Sequence, residues 1–299
     1  MAIAVVTGSS TGIGQATAIT LARAGHTVYA TMRNPEGGGE ELRVIALKES
    51  LHLHLVALDV DSDDSVRSAF THIDADAGRI DVLVNNAGIG NLGPVEETPL
   101  AEFRAVMETN FFGALRCTQS VLPGMRERRS GCIINVSSAA GRISLAPQAP
   151  YCASKWALEA LSEALAQEVK GFGIRVAVVE PGIVATPIFD KLEETGATTK
   201  YPQRRRVLGL FRASLTKHPV SPYVVGEKIR DIVDSGTWQL RHPVGPDAAG
   251  FLTWRASMTD EQWIDWARRA TTRGWLRCRR RSGWTSSCSE DRKSLRDLP

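Results

Sequence analysis

Thr7-Gly8-Ser9-Ser10-Thr11-Gly12-Ile13-Gly14 follows the apolar run Ala2–Val6 and leads into an amphipathic stretch over 13–24. A strand that ends in glycines and restarts as a helix has a physical purpose. The glycines allow a tight turn and close backbone approach, while the free N–H groups of the new helix face an anion such as a pyrophosphate. The spacing is G-x-x-x-G-x-G. Its strand-before, helix-after setting separates it from a glycine turn kept only for packing.

Outward from this turn the chain alternates between two patterns. Thr27–Thr31, Leu53–Leu58, Asp81–Val84, Cys132–Val136 and Arg175–Val179 are short β-branched runs. They are continuously apolar, as strands covered on both faces are. Between them lie amphipathic stretches near 62–77, 99–122 and 152–170. Gly37-Gly38-Gly39 reads as a loop, and Pro123-Gly124 as a break within or after the long helix. The βαβ series predicts an α/β fold: a single doubly wound, Rossmann-type domain over 1–267, with a parallel sheet of about seven strands and helices on both faces. Residues 190–220 read as a polar, Arg-rich mobile loop with a short helix. Pro222–Asp234 reads as a helix and Trp238–Val244 as the last strand. Thr259-Asp260-Glu261-Gln262 forms a capping box opening a helix through Trp266. Residues 268–299 read as a basic, disordered tail.

The chain of 299 residues is 43% hydrophobic and 23% charged, an ordinary globular balance. Its net charge of +3 is uneven, because residues 268–299 hold ten Lys/Arg and three Asp/Glu. The body is therefore net acidic, which argues against nucleic acid as a partner. The start lacks a basic n-region, and no apolar run approaches the ~18 residues of a membrane span. Five cysteines without a C-x-x-C pair fit reduced thiols and a cytoplasmic location.

The second strand ends in Thr31-Met32-Arg33. An acid at that tip would hydrogen-bond ribose hydroxyls, whereas a guanidinium suits a 2′-phosphate. Arg33 thus predicts NADP(H) over NAD(H), against the alternative of a solvated surface arginine. Tyr151 and Lys155 fall four apart in Tyr151-Cys152-Ala153-Ser154-Lys155, one helical turn from each other. An ammonium there favours the phenolate and would lower the phenol's pKa, making Tyr151 a proton donor to a ketone or acceptor from an alcohol. The pair alone is cheap by chance, and a surface Tyr with a solvated Lys is the plainer alternative.

Together these elements resemble the short-chain dehydrogenase/reductase family over roughly residues 2–190. The glycine turn is similar to the family's T-G-x-x-x-G-x-G segment, bringing Gly8, Ser10, Gly12, Ile13 and Gly14 to the cofactor. Asn85-Asn86-Ala87-Gly88 is similar to its N-N-A-G motif, implicating Asn86, Ala87 and Gly88. Asp59 and Val60 fall where the family contacts adenine. Pro181, Gly182, Ile183 and Thr186 match the segment beside the nicotinamide. The family's serine stands 13 residues before its tyrosine, which selects Ser138 over Ser137, and Asn110 matches its helix asparagine. The resemblance implies a catalytic set of Asn110, Ser138, Tyr151 and Lys155. Ser138 would hold the substrate oxygen, Lys155 would bind the ribose, and Asn110 would hold a relay water.

The segments Val28–Arg33, Gly93–Glu96 and Tyr151–Glu159 look like the hydroxysteroid and retinol dehydrogenase branch. That branch implies hydride transfer between NADP(H) and a lipophilic steroid-, retinoid- or ketone-like carbonyl/alcohol, with residues 183–267 over the substrate. The Arg-rich stretch does not itself describe an apolar pocket. The resemblance also implies a homodimer or homotetramer through the helices near 99–122 and 152–170. Two alternatives stay open: a dinucleotide-sensing regulator without catalysis, and an NAD-dependent alcohol dehydrogenase of the same family. His52 and His54 share a strand face but lack a sequence-near acidic or Cys partner, so a structural role is expected and no metal. Cys152 reads as a small buried residue. Trp254, Trp263 and Trp266 read as packing of the C-terminal helices rather than a substrate lid.

Overall fold

Parallel strands buried on both faces need helices above and below, and the chain supplies them in alternation. The computed structural model describes residues 1–193 and 199–269. Its sheet consists of β1 (Ile3–Val6), β2 (Thr27–Met32), β3 (Leu53–Ala57), β4 (Val82–Asn85), β5 (Gly131–Val136), β6 (Ile174–Pro181) and β7 (Arg241–Val244). The seven strands are all parallel, in the order β3-β2-β1-β4-β5-β6-β7. The order reverses direction between β1 and β4, which opens a crevice at their carboxyl ends. The glycine turn lies at that crevice.

The helices are α1 (Gly12–Arg23), α2 (Pro35–Gly38), α3 (Glu40–Glu49), α4 (Asp63–Ala77), α5 (Leu100–Met107), α6 (Ala114–Arg128) and α7 (Ala149–Val169), followed by α8 (Ile188–Glu193), α9 (Gln203–Lys217), α10 (Tyr223–Ser235), α11 (Ala248–Ala256) and α12 (Asp260–Arg269). One face of the sheet packs on α1 and α10 through Ile19, Leu21, Val225 and Ile229, all fully buried. The other packs on α4, α6 and α7 through Phe70, Ile73, Met125 and Leu165. The predicted fold class is the observed one.

Several local expectations are corrected. Gly37 and Gly38 lie in the single-turn α2, capped by the Asn34 side chain, rather than in an open loop. Pro123 sits inside α6 without ending it. The long helix near 99–122 runs from α5 through a π-helical segment, Glu108–Gly113, into α6. The last strand is shorter than Trp238–Val244, because pairing with β6 starts at Arg241. The largest change concerns 190–220, where α9 is a 15-residue helix. Its buried Val207 and Phe211 join Leu92 and Leu192 in a separate apolar cluster. Buried Arg204 turns inward to donate to the Leu92 and Leu192 carbonyls, both at 3.2 Å. The capping box forms as read, with Thr259 and Gln262 exchanging bonds of 3.0 and 3.3 Å. The expected disordered tail lies outside the described residues apart from its first two positions.

Candidate active site

The glycine turn is held by hydrogen bonds from the end of β4. Asn86 Nδ2 donates to the carbonyls of Thr7 (2.9 Å) and Gly8 (3.2 Å). The backbone amides of Asn86 and Ala87 both donate to Thr7 Oγ1 at 3.0 Å. Thr7 is the residue that spacing alone did not single out. Gly8 and Gly12 have φ of +67° and +62°, a region that side chains rarely adopt. A Cβ on Gly14 would lie 2.3 Å from the Gly8 carbonyl oxygen, so that position closes on its own turn. The turn then becomes the N-terminus of α1, where unpaired N–H groups favour an anion.

Around this crevice the remaining expected positions assemble. Asp59 and the buried Val60 follow β3, with the Asp59 amide fixed by Ser65 Oγ at 2.9 Å. Arg33 is exposed just past β2, and Ser10 lies against the α2 turn through Gly38. Thr186 reaches the glycine turn, since a Cβ on Gly12 would stand 3.2 Å from its Cγ2. Pro181 ends β6; Gly182 and Ile183 follow. The Ile183 amide donates to Asp247 Oδ2 at 2.9 Å, an anchor that sequence reasoning missed. A Cβ on Gly182 would fall 2.0 Å from Asp247 Oδ1, so only glycine fits that anchor.

The four catalytic candidates come from two helical segments, the π segment and α7, and one strand end. Asn110 lies in the π segment, where the widened turn aims its side chain across the crevice. Its Oδ1 accepts from the Ile89 amide at 2.8 Å, and its Nδ2 donates to the Ile89 carbonyl (3.0 Å) and Ser154 Oγ (2.9 Å). Gly113 permits this bulge, because a Cβ there would meet Val60 at 2.8 Å. Ser138 follows β5, accepts from the Ala140 amide at 3.1 Å and faces Tyr151. Buried Lys155 donates to the Val136 carbonyl at 2.9 Å, with its Nζ 5.8 Å from the Tyr151 ring centre. A Cβ on Gly88 would lie 3.2 Å from Asn110 Oδ1 and 3.7 Å from Lys155 Nζ, which locates Gly88 between them.

The expected electrostatics are revised. Burial pushes the Tyr151 phenol up to about 12, partly offset by its hydrogen bond with Ser138. Burial also pulls the Lys155 ammonium down to about 8, partly offset by Glu159. Desolvation penalises both charged forms and outweighs the attraction expected from the four-residue spacing. In this arrangement the phenol keeps its proton at neutral pH.

Tyr151 and Ser138 open on an apolar cleft of about 920 Å³, part of it open to solvent. Its far wall comes from Phe211 of α9 and from Trp254, Trp263 and Trp266 of α11 and α12. The tryptophans do pack on one another, Trp263 and Trp266 stacked at 4.9 Å and Trp254 edge-on to both. They also face the cleft, which corrects the expectation of packing alone. His54 stacks on Tyr29 at 5.0 Å, the structural role expected of it. Cys152 is buried, as expected.

A doubly wound sheet with a glycine turn at its switch point, beside a tyrosine and a lysine one helical turn apart, defines a dinucleotide-dependent oxidoreductase. The family model for short chain dehydrogenases matches residues 2–197. A 3-ketodihydrosphingosine reductase from Bacteroides thetaiotaomicron is 38% identical over 248 residues, covering 82% of this chain and 88% of that protein. Bovine retinol dehydrogenase 8 is 42% identical over 202 residues, covering 66% of this chain and 64% of that protein. The crystal structure of a short-chain dehydrogenase from Streptomyces avermitilis superposes with a TM-score of 0.75 at 36% identity, covering 92% of this chain and all of that one. The chain belongs to the short-chain dehydrogenase family, near its retinol dehydrogenase branch, and is an oxidoreductase acting on CH–OH/C=O groups. The family's cofactor is a nicotinamide dinucleotide. No helix among the described residues is long and apolar enough to cross a membrane.

Proposed function

We propose that the chain interconverts a neutral, lipophilic ketone or aldehyde and its alcohol with NADP(H). The observation that carries this reading is the meeting of two unlike surfaces at Tyr151. On one side lies the glycine crevice; on the other lies a cleft whose lining, among the described residues, includes no charged side chain. The names of the relatives fit, since ketodihydrosphingosine and retinol are a ketone and an alcohol on hydrocarbon skeletons.

The glycines with positive φ and the crowded Gly14 fit a dinucleotide's pyrophosphate, since the backbone there leaves no room for a side chain. Gly8, Ser10, Gly12, Ile13 and Gly14 would hold that group. Asp59 and Val60 would flank the adenine, and Asn86, Ala87 and Gly88 would line the crevice. Pro181, Gly182, Ile183 and Thr186 would meet the nicotinamide end. When bound, the dinucleotide supplies or accepts the hydride. In reduction the Tyr151 phenol gives its proton to the carbonyl oxygen as charge develops there, and in oxidation it takes the alcohol's proton. Ser138 holds that oxygen. Lys155 binds the ribose hydroxyls and compensates the phenolate left behind. Asn110 fixes the π segment against α7 and supports a relay water.

Preference for the phosphorylated cofactor rests on Arg33 and on the absence of an acid at the tip of β2. Arg33→Ala is expected to weaken NADPH binding about 10-fold or more while leaving NADH unchanged. Fluorescence titration of both cofactors reads this, and an unchanged NADPH affinity refutes the assignment. We also propose that the described part of residues 183–267 covers the substrate, 194–198 lying outside the described residues, and that the chain self-associates through α5–α7. Phe112 and Trp156 are exposed there, 42% and 47%. A monomer by sedimentation at micromolar concentration would contradict the assembly. Loss of 340 nm absorbance from NADPH with hydrophobic ketones tests the whole reading. A chain that binds NADPH yet reduces none of a broad carbonyl panel would instead be a dinucleotide sensor.

A further inference from the structure

Apart from indole nitrogens, the cleft beside Tyr151 has four polar side chains among the described residues: Asn91, Ser138, Gln148 and Tyr151. Tyr151 and Ser138 face each other. Asn91 Nδ2 donates to Glu102 Oε2 at 2.7 Å, which fixes its amide and leaves its oxygen enclosed by protein. Gln148 has no such employment. It is only 8% exposed, and its carboxamide makes no hydrogen bond among the described residues. Neither its Oε1 nor its Nε2 is sealed within protein, so the amide looks into the cleft it lines.

The fold does not explain that amide. A buried carboxamide without partners costs free energy, and an apolar residue of similar volume would pack as well. Gln148 sits at the N-cap of α7, yet its side chain makes no capping bond. Its backbone is fixed on every side. Its N–H donates to the Leu145 carbonyl and its carbonyl accepts from the Cys152 amide, both at 2.8 Å. It also pairs with Gly93 in an isolated bridge. The side chain therefore projects from a rigid point, three residues before Tyr151 and on the same helical face.

We propose that Gln148 is a specificity-determining residue and that the substrate carries a second, neutral oxygen function a few bonds from the reacting carbon. This rests on the proposed carbonyl/alcohol reading and sharpens its substrate class. A carboxamide offers two donors and an acceptor, so it suits a hydroxyl or a keto oxygen. A carboxylate or phosphate would call for a cation, and none lines the cleft among the described residues. The preferred substrate is a hydroxylated or second-carbonyl ketone on a hydrocarbon skeleton. A plain ketone of the same size leaves the amide unpaired and is discriminated against.

The test compares 2-nonanone with 4-hydroxy-2-nonanone in the full-length chain, following NADPH oxidation, with NADPH affinity measured separately by fluorescence. Wild type is expected to favour the hydroxyketone in kcat/KM by about 10-fold or more. In Gln148→Leu the ratio falls to near unity, through loss on the hydroxyketone, while NADPH affinity is unchanged. Gln148→Met serves if the leucine variant fails to bind NADPH. Equal wild-type efficiencies, or a ratio that survives both substitutions, overturn the role of Gln148 and leave ketone reduction standing. Reduction of neither ketone by a wild type that binds NADPH overturns the carbonyl reading and this inference with it.

Discussion

The crevice at the strand ends and the cleft under α9, α11 and α12 meet at Tyr151 but are built on opposite principles. The crevice is backbone and polar side chain. Thr7, Asn86 and Asn110 each make hydrogen bonds to named main-chain atoms, and three glycines occupy places a side chain would spoil. The cleft is shape. Phe211, Trp254, Trp263 and Trp266 offer apolar area, and Gln148 adds a carboxamide that makes no hydrogen bond among the described residues. A reaction common to many molecules needs the same atoms at the same spacing, so the crevice leaves a readable pattern. Recognition of one molecule by area leaves none.

Removing the phenol at the junction should have the largest effect. Tyr151→Phe is expected to lower kcat by about 10²–10⁴-fold, with NADPH affinity unchanged by fluorescence titration. Retained turnover would remove Tyr151 from proton transfer. Within the crevice, Gly14→Ala pushes a methyl onto the Gly8 carbonyl. Cofactor affinity should fall about 10–100-fold, as overpacking of a tight site does. An unchanged Kd would mean that the turn does not hold the pyrophosphate. On the cleft side, Trp266→Leu should raise KM for a nine-carbon ketone about 10-fold while leaving a three-carbon carbonyl and NADPH binding alone. A uniform loss on both ketones would show that the tryptophans serve the fold rather than the substrate.

That contrast also explains what the sequence revealed. The buried strands were legible as continuous β-branched runs, and the resemblance brought Ser138, Tyr151, Lys155 and Asn110 to one place. Helix α9 was not legible, because Arg204-Arg205-Arg206 masks the spacing of Val207 and Phe211, and one of those arginines is buried. The π segment around Asn110 shifts hydrogen-bond register without a change in composition, so a regular helix was the natural expectation. Asp247 and Gln148 belong to no spacing rule; only their tertiary neighbours reveal them. The tuning of Tyr151 by Lys155 followed from separation along the helix, whereas burial, a property of the folded chain, dominates both groups.

The smallest expected effect concerns Lys155. Burial holds its pKa near 8, below the ~10.4 of an unfolded lysine. Below about 8 both states are protonated and the cost of the buried ammonium is fully present. Between about 8 and about 10 the unfolded chain binds the proton and the folded chain does not, so stability rises with pH. Urea unfolding without added cofactor should show a positive slope over that window, and Lys155→Met should lack this component. Identical pH profiles for the two chains would place the ammonium in a better-solvated site.

The two unlike surfaces are expected to converge on one reacting atom. A crystal structure of the chain with NADP⁺ and a nine-carbon hydroxyketone tests it most directly. The carbonyl oxygen is expected within about 3 Å of both Tyr151 Oη and Ser138 Oγ, the pyrophosphate on the glycine turn, and the hydrocarbon against Phe211 and the tryptophans. A ketone seated elsewhere, or a carbonyl turned away from Tyr151 with the cofactor in place, would contradict it.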